Sequence, residues 1–271
     1  MKIARFWNPI TNSACYGVVE GDVVFDIEGS VYDDFKVSSA SRPLAGLRLL
    51  APCEPTKIIM GGLNYTGHAK ETNQPIPVVP VVLQKPVSTL IGHQEPIQYP
   101  PETNRLEFEG ELAVVIRRKM RNVEPADVPK YVLGYAPAND VTARDVCHDG
   151  RHTVIFSKSW DTFCPVGPWL DTATNPDDVE LTVHVDGELR QKVHTSDMIF
   201  PVTKMLSYFS YFMTFLPGDL ILTGTPAGIG PMNIGQTCHV GVSGIGTLSN
   251  PIVASPRRMA GEASKYPLKT A

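Results

Sequence analysis

Nothing in the 271-residue chain approaches the roughly 18 consecutive apolar residues of a membrane-spanning helix. The opening Met1-Lys2-Ile3-Ala4-Arg5-Phe6-Trp7-Asn8 lacks the apolar core of a signal peptide. Neither membrane insertion nor export is expected. Basic runs are short as well: Arg117-Arg118-Lys119 is the longest, and 24 Lys+Arg stand against 28 Asp+Glu for a formal net charge of −4. The electrostatic footprint of a nucleic-acid binder is missing. Five cysteines, Cys15, Cys53, Cys147, Cys164 and Cys238, form no C-x-x-C pair, which argues against a disulfide framework or structural zinc and suits a reducing, cytoplasmic setting. G-x-S-x-G, H-E-x-x-H and G-x-x-x-x-G-K-[ST] are all absent, and Gly224 to Gly230 do not follow G-x-G-x-x-G. Serine hydrolase, zincin, P-loop and dinucleotide chemistries lose ground.

What is plentiful is glycine (22), proline (24) and a 42% hydrophobic fraction. Many turns, short strands and one substantial core follow, so the expected class is α+β and β-rich. Residues 1–52 read as a small N-terminal β domain, with two strands turning at Glu20-Gly21-Asp22. Residues 53–253 form the main domain, and the polar, aperiodic 254–271 is expected to be a loosely ordered tail. Leu112 to Ile116 is a near-continuous apolar strand, expected to be buried on both faces. Leu181–Val185 and Leu189–Val193 alternate around Asp186-Gly187 as a hairpin. Val202, Met205, Leu206, Phe209, Phe212 and Met213 recur at helical spacing, predicting a helix over 201–215 that is apolar nearly all round, as at a core or subunit interface.

Three segments hold candidate chemistry. Leu106-Glu107-Phe108-Glu109-Gly110-Glu111-Leu112 sets carboxylates at alternate positions before the apolar strand, so strand periodicity turns them to one face. A hard divalent cation relieves the repulsion of such a row, and oxygen ligands favour Mg²⁺, Mn²⁺ or Ca²⁺ over zinc. A solvated acidic edge fits the spacing equally well. Asp140, within Asn139-Asp140-Val141-Thr142-Ala143-Arg144-Asp145, suits a further ligand, with Arg144 as a carboxylate clamp. The same residues also suit a helical cap and a surface Arg144–Asp145 pair. His68 and Glu71 share one face of a helical turn at a separation of three, an arrangement that raises imidazole basicity for a general base and that also recurs incidentally.

The combination resembles the fumarylacetoacetate hydrolase family, in particular its smaller bacterial-type members. The ordered matches are Gly62-Leu63-Asn64-Tyr65 with His68 and Glu71, Lys85-Pro86 with Ser88, and Phe108 to Ile116. Asn139 to Asp145, Lys158 to Phe163, Gly167-Pro168 and Gly187-Glu188 follow, then Pro217-Gly218-Asp219 and Thr223 to Gly230. The resemblance implies a mixed β-sheet roll, a homodimer, and a Mg²⁺ or Mn²⁺ ion (with Ca²⁺ able to substitute) on Glu109, Glu111 and Asp140, leaving Glu107 as a neighbour. It assigns His68, Glu71 and Lys158 to catalysis, and Arg144 and Thr225 to the substrate. One departure concerns the pocket: many members carry glutamine where this chain has Cys147, followed by the polar His148-Asp149-Gly150-Arg151-His152. A plain wall fits Cys147 better than a reactive thiol.

The reaction implied is hydrolysis of a carbon–carbon bond in a β-diketo acid of the acylpyruvate kind, through a metal-stabilised enolate, with a small oxo-acid as the only partner besides a second copy. Oxaloacetate-type decarboxylation and keto–enol or double-bond isomerisation fit the same site. A non-catalytic binding protein on this fold is a third reading, opposed by the complete set of ligands, dyad and lysine.

Overall fold

The computed structural model describes residues 1–147 and 153–259. His148 to His152, and the expected tail beyond 259, lie outside the described residues. The largest element is an 11-stranded sheet running, from edge to edge, Phe35–Pro43, Val23–Gly29, Ser13–Glu20, Lys2–Asn8, Leu170–Asp171, Val132–Asn139, Gly110–Ile116, Leu220–Leu222, Ile58–Gly62 and Val81–Lys85, with Leu49–Leu50 paired to Lys2–Asn8. The N-terminal strands therefore continue the main sheet, joined to it where Lys2 and Ile3 pair with Asp171 and Leu170. The sheet is rolled: Lys85, on the last strand, reaches back to Asp140 past the end of Val132–Asn139. A five-stranded sheet, in the order Glu188–His194, Glu180–Val185, Thr237–Val242, Gly246–Ala254 and Ile97–Tyr99, packs against it.

Alternation explains why the centre is apolar on every residue. Leu112, Val114 and Ile116 enter one core cluster and Ala113 and Val115 the other. Ile221 and Ile59 join the first cluster, while Leu220, Leu222, Ile58 and Met60 join the second. Burial of each of these Val, Leu, Ile and Met side chains contributes on the order of 1.5–3 kcal/mol. Both faces are thus covered, as the unbroken apolar run predicts.

The predicted helix forms as Val202–Phe212, three residues short of its expected end. Met213 is already extended, and Phe215 bridges to Met120 ahead of Pro217, whose ring disfavours helix in the residue before it. Val202, Met205, Leu206 and Phe209 enter the core, but Tyr211 and Phe212 stay 61% and 58% exposed. The first tail residues are also more regular than expected: Ala254 ends a strand paired with Tyr99, and Pro256–Met259 is a short helix. Among the described residues no helix is long and apolar enough to cross a membrane.

Candidate active site

Sheet pairing assembles the site at one end of the large sheet. Leu220–Leu222 runs parallel to Ile58–Gly62, so the loops leaving both strands, Thr223-Gly224-Thr225 and Leu63-Asn64-Tyr65, emerge together. Gly110–Ile116 runs antiparallel to Leu220–Leu222 and to Val132–Asn139, which brings its N-terminal glutamates to the same end as Asp140. Asn64 ties the loops: its amide donates to the carbonyls of Thr223 (2.8 Å) and Phe200 (3.1 Å), and its Oδ1 accepts from the Phe200 N–H at 2.8 Å. Gly224 has φ +99°, and a Cβ there would lie 2.7 Å from the Asn64 Cβ and 2.8 Å from the Gly61 carbonyl oxygen. Only glycine permits that crossing.

The acidic row does not run along one strand. Leu106–Phe108 belongs to a separate three-stranded sheet with Thr142–Ala143 and Gly230–Pro231, and the chain breaks at Glu109 before Gly110–Ile116. Glu107 is thereby drawn off to Arg105 and Arg144, with both contacts at 2.6 Å. Glu109, Glu111 and Asp140 instead converge, each offering an oxygen within 4.8 Å of the others, all buried. A hard cation with metal–oxygen distances of about 2.0–2.6 Å holds its ligand oxygens up to roughly twice that apart, so the spacing and all-oxygen donor set fit Mg²⁺ or Mn²⁺.

The electrostatics around the triad are uneven. Lys158 Nζ donates to Glu109 Oε2, Asp140 Oδ2 and Thr142 Oγ1, each at 2.7 Å. Arg144 spans Glu107 and Glu109, and the fully buried Lys85 donates to Asp140 and to the Val141 carbonyl. Glu111 has no side-chain cation among these; its Oε2 accepts the Gly224 N–H at 2.5 Å. Burial, with Asp140 and Glu109 beside it, pushes the Glu111 carboxyl well above the usual range. Glu109 goes the other way: burial opposes its charge, but Lys158, Arg144 and His68 outweigh that and bring it down to about 2. Burial depresses Lys158 less than Asp140 and Glu109 raise it, so it is held firmly charged. Among the described residues, four buried carboxylates thus face two buried lysines and the half-buried Arg144, none of which pairs directly with Glu111. The Tyr65 hydroxyl, buried and within electrostatic reach of Glu111, has no hydrogen-bond partner among the described residues.

Above the triad lies a cavity of about 290 Å³, small enough to suit a compact organic acid. Glu109, Glu111, Asp140, Arg144, Lys158, Thr225 and His68 all line it. His68 sits on the six-residue helix Thr66–Glu71, with Nδ1 3.3 Å from Glu71 Oε2. Glu71 Oε1 accepts the Gly228 N–H at 3.0 Å, so the dyad is anchored to the loop that carries Thr225. Seven of the eight residues expected in the site therefore reach one cavity, and Glu71 stands behind His68. Arg144 does not pair with Asp145, which accepts instead from Thr103 and from the Asn104 N–H. Cys147 lines the cavity with its thiol on Ser157 Oγ at 2.7 Å.

The sequence placed Lys85 and Asn139 in matching segments and Gln191 in a hairpin strand, but assigned none of them a role. The Asn139 side chain accepts the Glu109 N–H at 3.0 Å and so fixes the break beside the first glutamate. Gln191 offered a faint signal: it shares strand parity with Leu189 and Val193, a polar residue on the apolar side of its strand.

Comparison with known proteins gives a consistent picture. The sequence profile of the fumarylacetoacetate (FAA) hydrolase C-terminal family matches residues 57–253, and that of the Rv2993c-like N-terminal family matches residues 1–52. The crystal structure of 2-hydroxyhepta-2,4-diene-1,7-dioate isomerase from Mycobacterium marinum superposes with a TM-score of 0.86 at 39% identity, covering 94% of this chain and 99% of that one. Oxaloacetate tautomerase fahd2 from Xenopus laevis is 36% identical over 222 residues, 77% of this chain and 69% of the relative. Maleylpyruvate hydrolase from Sphingobium sp. SYK-6, solved with manganese(II) and pyruvate, has a TM-score of 0.76 at 31% identity, covering 94% of this chain and 100% of that one.

Proposed function

The chain belongs to the fumarylacetoacetate hydrolase family, and from that premise we propose that it is a divalent-metal-dependent enzyme that hydrolyses a carbon–carbon bond in a small β-diketo acid of the acylpyruvate kind. The observation that carries this reading is one cavity lined by an all-carboxylate triad, a charged lysine and a histidine backed by a carboxylate. Glu109, Glu111 and Asp140 would hold Mg²⁺ or Mn²⁺. Bound there, the ion would supply Lewis-acid polarisation of the 2-oxo acid end, the stabilisation that carbanion formation needs. His68, its tautomer set by Glu71, takes a proton from the attacking water. Lys158 faces the developing negative charge, and Arg144 and Thr225 orient the substrate's carboxylate. Manganese and pyruvate in the Sphingobium hydrolase crystal support the choice of ion class and of oxo-acid.

A second reading keeps the site and omits the water: tautomerisation, double-bond isomerisation or decarboxylation of an oxo-acid such as oxaloacetate. The named activities of the Xenopus and M. marinum relatives favour it. The test is a substrate panel of acylpyruvates and oxaloacetate with Mg²⁺ and with Mn²⁺, followed by product analysis. Hydrolysis is expected, together with loss of both activity and metal binding in Glu109→Gln; activity persisting in chelator would defeat the scheme. The domain division at residues 52/53 and a homodimer belong to the same proposal. The exposed rings of Tyr211 and Phe212 offer a face for a second copy, and light scattering would measure the mass.

A further inference from the structure

Gln191 is a fully committed amide buried between the metal-ligand strand and the Thr225 loop, outside the catalytic set named above. It lies on Glu188–His194 and is 1% exposed. Its Oε1 accepts the N–H of Gly110, the residue between the two glutamate ligands, at 3.0 Å. Its Nε2 donates to Thr225 Oγ1 at 2.9 Å and to the Pro226 carbonyl at 2.8 Å. The amide orientation follows from these partners. Turned over, it would set NH₂ against the Gly110 N–H and a carbonyl against the Pro226 carbonyl.

This arrangement settles which way the Thr225 hydroxyl can act. Thr225 is 2% exposed, lines the cavity, and accepts from Gln191. Among the described residues its hydroxyl makes no other hydrogen bond, so its proton has no acceptor there. A hydroxyl that accepts on its back side and keeps its proton is a donor toward the cavity. We propose that Gln191 is a positioning residue that fixes Thr225 as a one-way hydrogen-bond donor to a carboxylate oxygen of the substrate. The proposal rests on the oxo-acid reading of the site.

Gln191→Glu is the discriminating change. Its carboxylate keeps the shape and still accepts from Gly110. The second oxygen cannot donate, so it takes the Thr225 proton and turns the hydroxyl away from the cavity. The probe is oxalate, a planar stand-in for the oxo-acid end of the substrate, titrated calorimetrically into Mn²⁺-loaded protein, with Mn²⁺ affinity measured separately. Gln191→Glu is expected to weaken oxalate binding by about tenfold to a hundredfold, the loss of one hydrogen bond to a charged group, with Mn²⁺ affinity within about twofold by the same arithmetic. With a turned-over substrate, KM rises by the same factor and kcat changes little. Thr225→Val should reproduce the loss, Thr225→Ser should restore binding, and the double variant should show no further drop.

Equal weakening of Mn²⁺ and oxalate, or additive losses in the double variant, would mean that Gln191 is only structural. Should Gln191→Glu fail to fold, Thr225→Val decides alone, and unchanged oxalate affinity there overturns the proposal. Failure of the wild-type holoprotein to bind oxalate or turn over any oxo-acid would overturn the functional reading itself, and this proposal with it.

Discussion

Replacing Glu111 by glutamine should make the metal-free protein no less stable while removing its response to metal. The side chain is buried at 2% exposure, its one hydrogen bond among the described residues is from the Gly224 N–H, and its neighbours Glu109 and Asp140 carry like charge. Glutamine keeps an oxygen for Gly224 and discards the charge. The sign of the pH effect follows from the raised carboxyl. The folded state holds the Glu111 proton to higher pH than the unfolded chain does, so metal-free wild type loses stability as pH climbs from the ordinary carboxylate range through the folded value. Glu109, held down to about 2 by its cations despite burial, acts oppositely: its contribution is present above the unfolded value and is lost only as pH falls through the folded one. Glutamine at 111 removes the first slope and leaves the second.

Metal works against the Glu111 penalty. A ligand at a hundred times its Kd adds about 2.7 kcal/mol to the folded state. At about 2–4 °C per kcal/mol for a chain near this size, saturating Mn²⁺ should raise the wild-type midpoint by about 5–10 °C. Differential scanning fluorimetry at pH 5 and pH 8, with chelator and with Mn²⁺, measures all four states. Wild type should shift with metal, and more at pH 8 than at pH 5, because an ion on Glu111 must displace the proton that the carboxyl holds and displacement is easier as pH rises. Glu111→Gln should not shift at either pH. A variant that keeps the full metal shift, or a metal-free variant markedly less stable than wild type at pH 8, would refute the reasoning.

His68→Ala should lower kcat for hydrolysis by about 10²–10⁴-fold while leaving Mn²⁺ affinity intact. Steady-state kinetics beside metal titration tests it, and retained hydrolysis would remove His68 as the base. Asp219→Ala should cost about 3–5 kcal/mol in urea unfolding. The buried carboxylate accepts from Thr56 N–H and Oγ1, Lys57 N–H and Nζ, and Leu216 N–H, at 2.5–3.1 Å, and its removal takes this acceptor from all five donors; a loss under about 1 kcal/mol would contradict that accounting.

The β-rich class, the hairpins and the doubly buried central strand were legible because periodicity reports burial directly. The helix end at Phe212 was not, since Phe215 pairs with Met120, nearly a hundred residues away in sequence. At the site, strand spacing identified an acidic row and overcounted it. Glu107 and Glu111 share strand parity in the sequence, yet a strand break at Glu109 assigns them to different sheets. Such a break depends on the Asn139 side chain across the ladder, a partner that no local pattern announces. Lys85 and Gln191 were hidden for a similar reason. Each is polar within an otherwise ordinary strand, and its use appears only when the rolled sheet brings a distant segment within reach.

Gly110 has a consequence for how such a site can diverge. A Cβ there would lie 2.2 Å from Val183 Cγ2, so the two sheets touch at the residue separating two ligand positions. The spacing of Glu109 and Glu111 is therefore part of the inter-sheet packing, and a change in one forces a change in the other. The candidate seat for an ion is thereby tied to that packing. Freedom to accept a different acid is left to other residues of the lining, such as Cys147, Val154 and Val81. Laboratory evolution toward new substrates should accumulate its first changes there.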